Sequence, residues 1–330
     1  MVPFLFGIDM TITAEQIKFR KGKIGASQFG QAIGHGYGSR TRAELFHQMK
    51  GHMPPIVETT AMRVGNFMEP FILEEYTLKT GRAAEEYPDT QVHPDEPRII
   101  CHCDGITSDK TRLIEIKNVG PRMASAWENG VPEYYWVQGC GQSMLTGIKK
   151  VDFAAYFGGN DVRVFEVEYT DEDHAALYDG LKDFLRYMDN DEEPPHVIAD
   201  LPNLDKYYEV EQDGCTEAKS DLAKMCLDYY NIKQDLKLDP NDKRVLEELE
   251  FTIKEAMGDY QTLNDTNGRQ LFTWKQGKDK TVTDWEKVAW EYARLSDSNF
   301  WEENLKAIIC DHTTTKKGNR TFLCKIKENV

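Results

Sequence analysis

The sequence predicts an α/β fold for about the first 200 residues, followed by a helical hairpin and a small α+β tail. Three observations carry this. Helical and strand-like patterns alternate up to about residue 200. Two pairs of strand-like segments are joined by short turn-forming stretches, SDK at 108–110 and GGND at 158–161. Beyond residue 200 the apolar residues recur at helical spacing among many charges.

In chain order, Ser27 is placed to cap a short helix running to Ile33, and the glycine-rich GHGYGS at 34–39 breaks it. Residues 41–50 and 58–80 read as helices, the second ending at Gly81, with Pro70 expected to kink it or restart it. RIICHCDGIT (98–107) and TRLIEIK (111–117) read as paired strands, 133–147 as a helix, and KVDFAAYF and DVRVFEVEY as a hairpin. A helix from Asp171 to about Asn190 follows, and DNDEEPP at 189–195 reads as a linker, which puts a domain boundary near residue 200. Residues 216–235 and 240–258 form the helical hairpin, closed by Gly258. In the tail, GRQLFTWK and RTFLCKIK are strand-like and DWEKVAWEYARL helical.

Composition bounds the function. A chain of 330 residues accommodates one domain plus an appendage, since domains run about 50–250 residues. No apolar run approaches the roughly 18–20 residues that span a bilayer, and MVPFLFGIDM has no basic region, so neither a membrane anchor nor a signal peptide is expected and the protein is placed in the cytoplasm. Seven cysteines without a C-x-x-C pair suggest reduced thiols rather than a disulfide framework or a zinc site. The net charge of −16 argues against a global basic surface for nucleic acid. It leaves room for a local basic pocket with metal ions cancelling carboxylate charge where a phosphate sits.

The chemistry concentrates between residues 65 and 142. A hairpin can bring Asp104 to the strand that bears Glu115 and Lys117. These two share one strand face, while Ile116 points to the core. Two carboxylates and the backbone carbonyl of Ile116 make an oxygen-rich nest suited to Mg²⁺ or Mn²⁺, and Lys117 sets a cation beside it. Alone, an Asp some eleven residues before E-x-K is also the mark of a surface hairpin. Glu69 stands one helical turn after Gly65 in MRVGNFMEP; by itself it reads as a solvated helix charge. Tyr135, Gln138 and Gln142 recur on one helical face, which taken singly reads as a helix interface.

Together, R-K-G-K-I-G-A-S (20–27), G-N-F-M-E (65–69), C-D-G (103–105), E-I-K (115–117) and Y-W-V-Q (135–138) resemble the YqaJ and lambda exonuclease group of phage recombination nucleases, within the PD-(D/E)XK superfamily. The resemblance covers about residues 15–190. It implies a central mixed β-sheet flanked by helices, a site for two Mg²⁺ or Mn²⁺ ions, and 5′ to 3′ degradation of linear double-stranded DNA that leaves 3′ overhangs. It further implies a phage or prophage protein in a bacterial host, a single-strand annealing protein as partner, and a homo-oligomeric ring. By position, Asp104 and Glu115 become metal ligands with the Ile116 carbonyl, Lys117 the catalytic lysine, Glu69 a further acid near the metals and Gln138 a supporting residue. Arg20 and Ser27 fall where the family binds the terminal 5′ phosphate, which suits a bidentate guanidinium and a helix N-terminus.

The sequence departs from the family at Cys103, where a proline precedes the metal-binding Asp, and at His102, where a serine often helps bind phosphate. An iron–sulfur nuclease of the same core needs four cysteines flanking it, which these seven do not supply after residue 142. Two other readings stay open: a structure- or site-specific endonuclease on the same fold, and a non-catalytic DNA-binding or assembly protein. The extension from 201 to 330 is expected to serve assembly or partner docking, with Trp274, Trp285, Trp290, Phe300 and Trp301 forming either a small core or a partner surface.

Overall fold

The computed structural model describes residues 19, 22–38, 40–53, 59–87, 89–159, 161–210, 214–234, 238–294 and 301–326. The chain divides into two compact units, the first reaching to Asp200 and the second starting at Leu201.

The first unit opens with strand β1 (Ile24–Gly25) and helix α1 (Ala26–Ala32), then α2 (Arg42–Lys50) and α3 (Thr60–Thr80). Ser27 is not the cap of α1. Gly25 is, and its N–H is met by the Gln28 side chain at 3.1 Å, while Ser27 sits exposed at the second helical position. Helix α3 runs as one element through Pro70, without restarting, from its Thr59 cap to Gly81, whose φ of 69° lets the chain turn left-handed.

Five short strands follow: β2 (Ala84–Glu86), β3 (Gln91–Val92), β4 (Ile99–Cys101), β5 (Gly105–Thr107) and the longer β6 (Arg112–Asn118). The single strand expected over 98–107 is therefore two. β4 pairs with β1 in parallel and with β3 antiparallel, whereas β5 joins β2 and β6 in the main sheet. Gly105 opens β5 at a close approach, where an added Cβ would lie 3.1 Å from the Glu85 carbonyl and from Leu73 Cδ1.

Helix α4 (Glu133–Thr146), strands β7 (Lys150–Tyr156) and β8 (Val162–Glu168) and helix α5 (Asp171–Asn190) complete the unit. The main sheet has the order β2-β5-β6-β7-β8, with β6 and β7 parallel and the other pairings antiparallel. It is the expected mixed sheet with helices on both faces. Ile114, Ile116, Ala154 and Val162 pack with Ile72, Leu73 and Tyr76 of α3. Leu113, Val151, Phe153 and Ala155 face the larger core built with α1, α2, α4 and α5. This alternation of Ile and Leu along β6 is the period-2 consequence of a strand buried on both sides.

Asp152 on β7 is fully buried among charges. Tyr76 Oη donates to it at 2.6 Å, Arg82 at 3.0 Å and Arg112 Nε at 2.8 Å, and both arginines also reach Glu166 on β8. This network ties the end of α3 to three strands, β6, β7 and β8.

In the second unit, strand β9 (Cys215–Glu217) precedes α6 (Ser220–Lys233) and α7 (Pro240–Met257), which pack on each other as the hairpin. Residues 216 and 217, expected as helix, instead pair in parallel with strand β10 (Thr262–Asn264). Gly258 caps the hairpin with a φ of 51°. Strand β11 (Gln270–Gln276), β12 (Lys280–Thr283), helices α8 (Trp285–Arg294) and α9 (Trp301–Asp311), β13 (Thr313–Lys316) and β14 (Arg320–Cys324) follow. Trp274 is buried beneath the Arg320 guanidinium, 3.6 Å from the ring centroid, so it belongs to the core of this unit, whereas Trp285 is exposed. Phe300 and the side chains of Trp290 and Trp301 lie outside the described residues.

Candidate active site

Strand β5 pairs with β6 only up to the Gly105–Ile114 register, so among the described residues no strand pairs with the far half of β6 on that side. Asp104, in the bend just before β5, occupies that edge. Its Oδ2 accepts the Ile116 N–H at 2.7 Å. In a strand, the N–H and C=O of one residue project to the same side, so the Ile116 carbonyl faces the side that Asp104 occupies.

Glu115, one residue earlier, points to the opposite face from Ile116, beneath α4, and is 1% exposed. A carboxylate there requires donors, and three are present. Lys117 Nζ and Gln138 Nε2, the latter at 2.6 Å, donate to Oε1, and Gln142 Nε2 donates to Oε2. Gln142 also donates to the His102 carbonyl at 3.1 Å, which pins the bend before Asp104. The Lys117 ammonium lies 4.7 Å from the Tyr135 ring centroid. Tyr135, Gln138 and Gln142 thus all act from one face of α4.

Two glycines let α4 come this close. A Cβ on Gly139 would lie 2.6 Å from Phe153 and from the Tyr169 hydroxyl, and one on Gly141 would lie 2.2 Å from Phe29 of α1. The pattern Q-G-C-G-Q reads in space as two amides lowered onto Glu115 by two residues without side chains.

Electrostatically the site is short of positive charge. Burial, and then the charge of Glu115, hold the Asp104 carboxyl well above its ordinary pKa, although Lys117 and the Ile116 N–H act in the other direction. Burial and Glu115 also raise Glu69, on α3, with Lys117 opposing. For Lys117, burial disfavours the ammonium, but Glu115 and Asp104 outweigh it and the net shift is upward. Among the described residues, three acids therefore share one lysine. The Gln142 Oε1 atom is buried without a hydrogen-bond partner among the described residues. A set of oxygen donors with surplus negative charge suits a hard divalent cation.

The structure thus brings together Asp104, Glu115, Ile116, Lys117 and Gln138, with Glu69 within their electrostatic reach. Ser27 is exposed on α1, which packs on α4; Arg20 lies outside the described residues. His102 contributes its backbone carbonyl. Gln142 belongs to the set as fully as Gln138, and its signal was the four-residue spacing between the two.

The first unit is thus a mixed sheet flanked by helices, with a lysine and two carboxylates gathered at its central strand. Residues 16–149 match the family model of the YqaJ-like viral recombinase domain, which bears out the resemblance read from the ordered motifs. Among solved structures, the chain is similar to an alkaline exonuclease, LHK-Exo, from Laribacter hongkongensis, with 25% identity, a TM-score of 0.46, and coverage of 54% of this chain and 94% of that one. It is also similar to a phage related exonuclease from Haemophilus somnus 129PT, with 13% identity, a TM-score of 0.40, and coverage of 51% and 94%. No curated protein sequence matches the chain.

Proposed function

We propose that this chain is a metal-dependent DNA exonuclease that hydrolyses linear double-stranded DNA from the 5′ end and leaves 3′ single-stranded overhangs for phage-type recombination. The observation that carries the reading is the charge deficit beside β6, where among the described residues Asp104, Glu115 and Glu69 face the Lys117 ammonium alone, inside a stretch that matches a viral recombinase domain.

Asp104, Glu115 and the Ile116 carbonyl would hold the ion, with Glu69 beside them. Magnesium or manganese, bound there, supplies charge neutralisation and Lewis acidity at the scissile phosphate. The remaining work falls to the chain. Asp104 has one oxygen engaged by the Ile116 N–H, and its other oxygen takes no hydrogen bond among the described residues, which leaves it open to a cation. Gln138 and Gln142 fix both oxygens of Glu115 and so preset its direction. Lys117, whose Nζ donates to Glu115 Oε1, supplies a positive charge and hydrogen-bond donor for the developing phosphorane charge.

In this reading residues 1–200 are the exonuclease domain, and Arg20 and Ser27 bind the terminal 5′ phosphate. The charged hairpin and tail of 201–330 serve assembly into a homo-oligomer or docking of an annealing protein. The test is digestion of a linear duplex carrying separate 5′ and 3′ labels, with a closed-circular control, in Mg²⁺ and in EDTA. Early metal-dependent loss of the 5′ label with the circle intact supports the proposal. Cutting of the circle makes the protein an endonuclease, and no cutting by folded protein makes it a binding module.

A further inference from the structure

A second cluster of metal-ligating side chains lies on other elements of the first unit. His47 is in the last turn of α2, while Glu193 and His196 lie on the segment that follows α5. His47 Nε2 and His196 Nε2 each lie 2.5 Å from the same Glu193 oxygen, Oε1, and one ligand atom from each of the three residues lies within 4.8 Å of the others. Both imidazoles are 6% exposed, whereas Glu193 is 37% exposed and offers the way in from solvent.

We propose that His47, Glu193 and His196 form a binding site for a zinc-class transition-metal ion, distinct from the carboxylate site and with solvent as the fourth ligand. Two neutral imidazoles and one carboxylate are the donor set that borderline cations take, and magnesium, which prefers oxygen, does not. Tetrahedral bonds of about 2.0–2.1 Å place ligand atoms a little over 3 Å apart, a small outward adjustment for the exposed Glu193.

Behind His47 stands a further histidine. His47 Nδ1 and His52 Nδ1 are 3.1 Å apart, so one nitrogen carries a proton and the other a lone pair. With Nε2 on a metal, His47 donates from Nδ1 to His52, the arrangement that fixes the ring of a ligating histidine. The residues flanking the cluster show what the ion would hold. Thr41, the cap of α2, donates to Asp200, whose other oxygen accepts from the Val197 N–H at 2.9 Å. Both ends of α2 thereby grip the segment from Glu193 to Asp200, one end through hydroxyl and carboxylate and the other through the proposed ion.

The experiment is a titration of metal-free full-length protein with Co²⁺, followed by the visible absorption of the bound ion. The exposed thiols of Cys215 and Cys310 are alkylated beforehand. Wild type should show a band that saturates at one equivalent and is displaced by Zn²⁺ but not by excess Mg²⁺. Glu193→Gln and His196→Ala should weaken binding by well over tenfold, and His52→Ala by about tenfold. Asp104→Ala should leave the band unchanged, which separates this site from the proposed catalytic one. Far-UV circular dichroism checks folding, and Glu193→Gln, an exposed near-isostere, keeps the test sound should His196→Ala fail to fold. Absence of the band in wild type, equal affinity in Glu193→Gln, or loss of the band in Asp104→Ala would each overturn the proposal.

Discussion

The Ile116 N–H donates to Asp104 Oδ2 at 2.7 Å, so a side chain takes the place that a paired strand would occupy beside β6. The sheet edge is satisfied by a carboxylate, and the same bond sets Asp104 beside the strand that bears Glu115 and Lys117. Asp104→Ala removes both the backbone's partner and a proposed ligand. It should abolish the rise in melting temperature that Mg²⁺ gives wild type, a rise worth about 2.7 kcal/mol at a hundred times the dissociation constant. Thermal scans with and without Mg²⁺ measure it, and an undiminished shift in the variant would remove Asp104 from the ligand set.

Lys117 is the cation among the acids in the described residues, so Lys117→Ala should reduce the cleavage rate by at least about 10²–10³, the cost of losing one preorganised donor to transition-state charge. Folding should survive, because Gln138 and Gln142 still satisfy Glu115. Single-turnover digestion of the end-labelled duplex reads the rate. Turnover like that of wild type would exclude the role given to Lys117.

The two glutamines are not equivalent. Glu115 Oε1 keeps Lys117 as a donor when Gln138 is lost, but Oε2 has only Gln142 among the described residues, and Gln142 also holds the His102 carbonyl. Gln142→Leu should therefore destabilise by about 1–3 kcal/mol through unpaired buried acceptors, and Gln138→Leu by less. Urea denaturation of both variants gives the order, and the reverse order would contradict the assignment of donors.

How much of this was legible follows from sequence separation. Asp104, Glu115 and Lys117 could be read because a tight hairpin joins their segments, and alternation along β6 sent Ile116 to the opposite face. Gln138 and Gln142 were legible as a helical stripe, but their target lay on a strand that periodicity alone does not name. The break at His102–Asp104 was hidden because Ile99–Cys101 and Gly105–Thr107 are all buried, and two short buried strands read like one. Asp152 gave no signal at all, since its partners Tyr76, Arg82 and Arg112 lie 76, 70 and 40 residues away. The same holds for His47 and Glu193, 146 residues apart.

Gly139 and Gly141 set how closely α4 approaches the sheet. An alanine at either position meets Phe153 and Tyr169, or Phe29, at distances no real Cβ keeps, so each substitution should cost about 1–3 kcal/mol. It should also slow cleavage, because lifting α4 withdraws both amides from Glu115. A variant that loses stability but cleaves at the wild-type rate would show that the helix position does not govern the site.

Asp152 and Tyr76 give a prediction in pH. Burial, and then the hydrogen bond to Asp152, push the Tyr76 phenol up to about 12, so the folded state holds this proton more tightly than the unfolded chain, where tyrosine titrates near its ordinary value of about 10. A group whose pKa is raised on folding contributes stability that is full below the unfolded value and is lost as pH rises through the folded one. Wild type should therefore lose stability between about pH 10 and 12, and Tyr76→Phe should flatten that part of the profile, since it has no proton to lose while Arg82 and Arg112 still hold Asp152. Chemical denaturation at a series of alkaline pH values compares the two slopes. Identical slopes would mean that Tyr76 does not link the α3–β7 contact to pH.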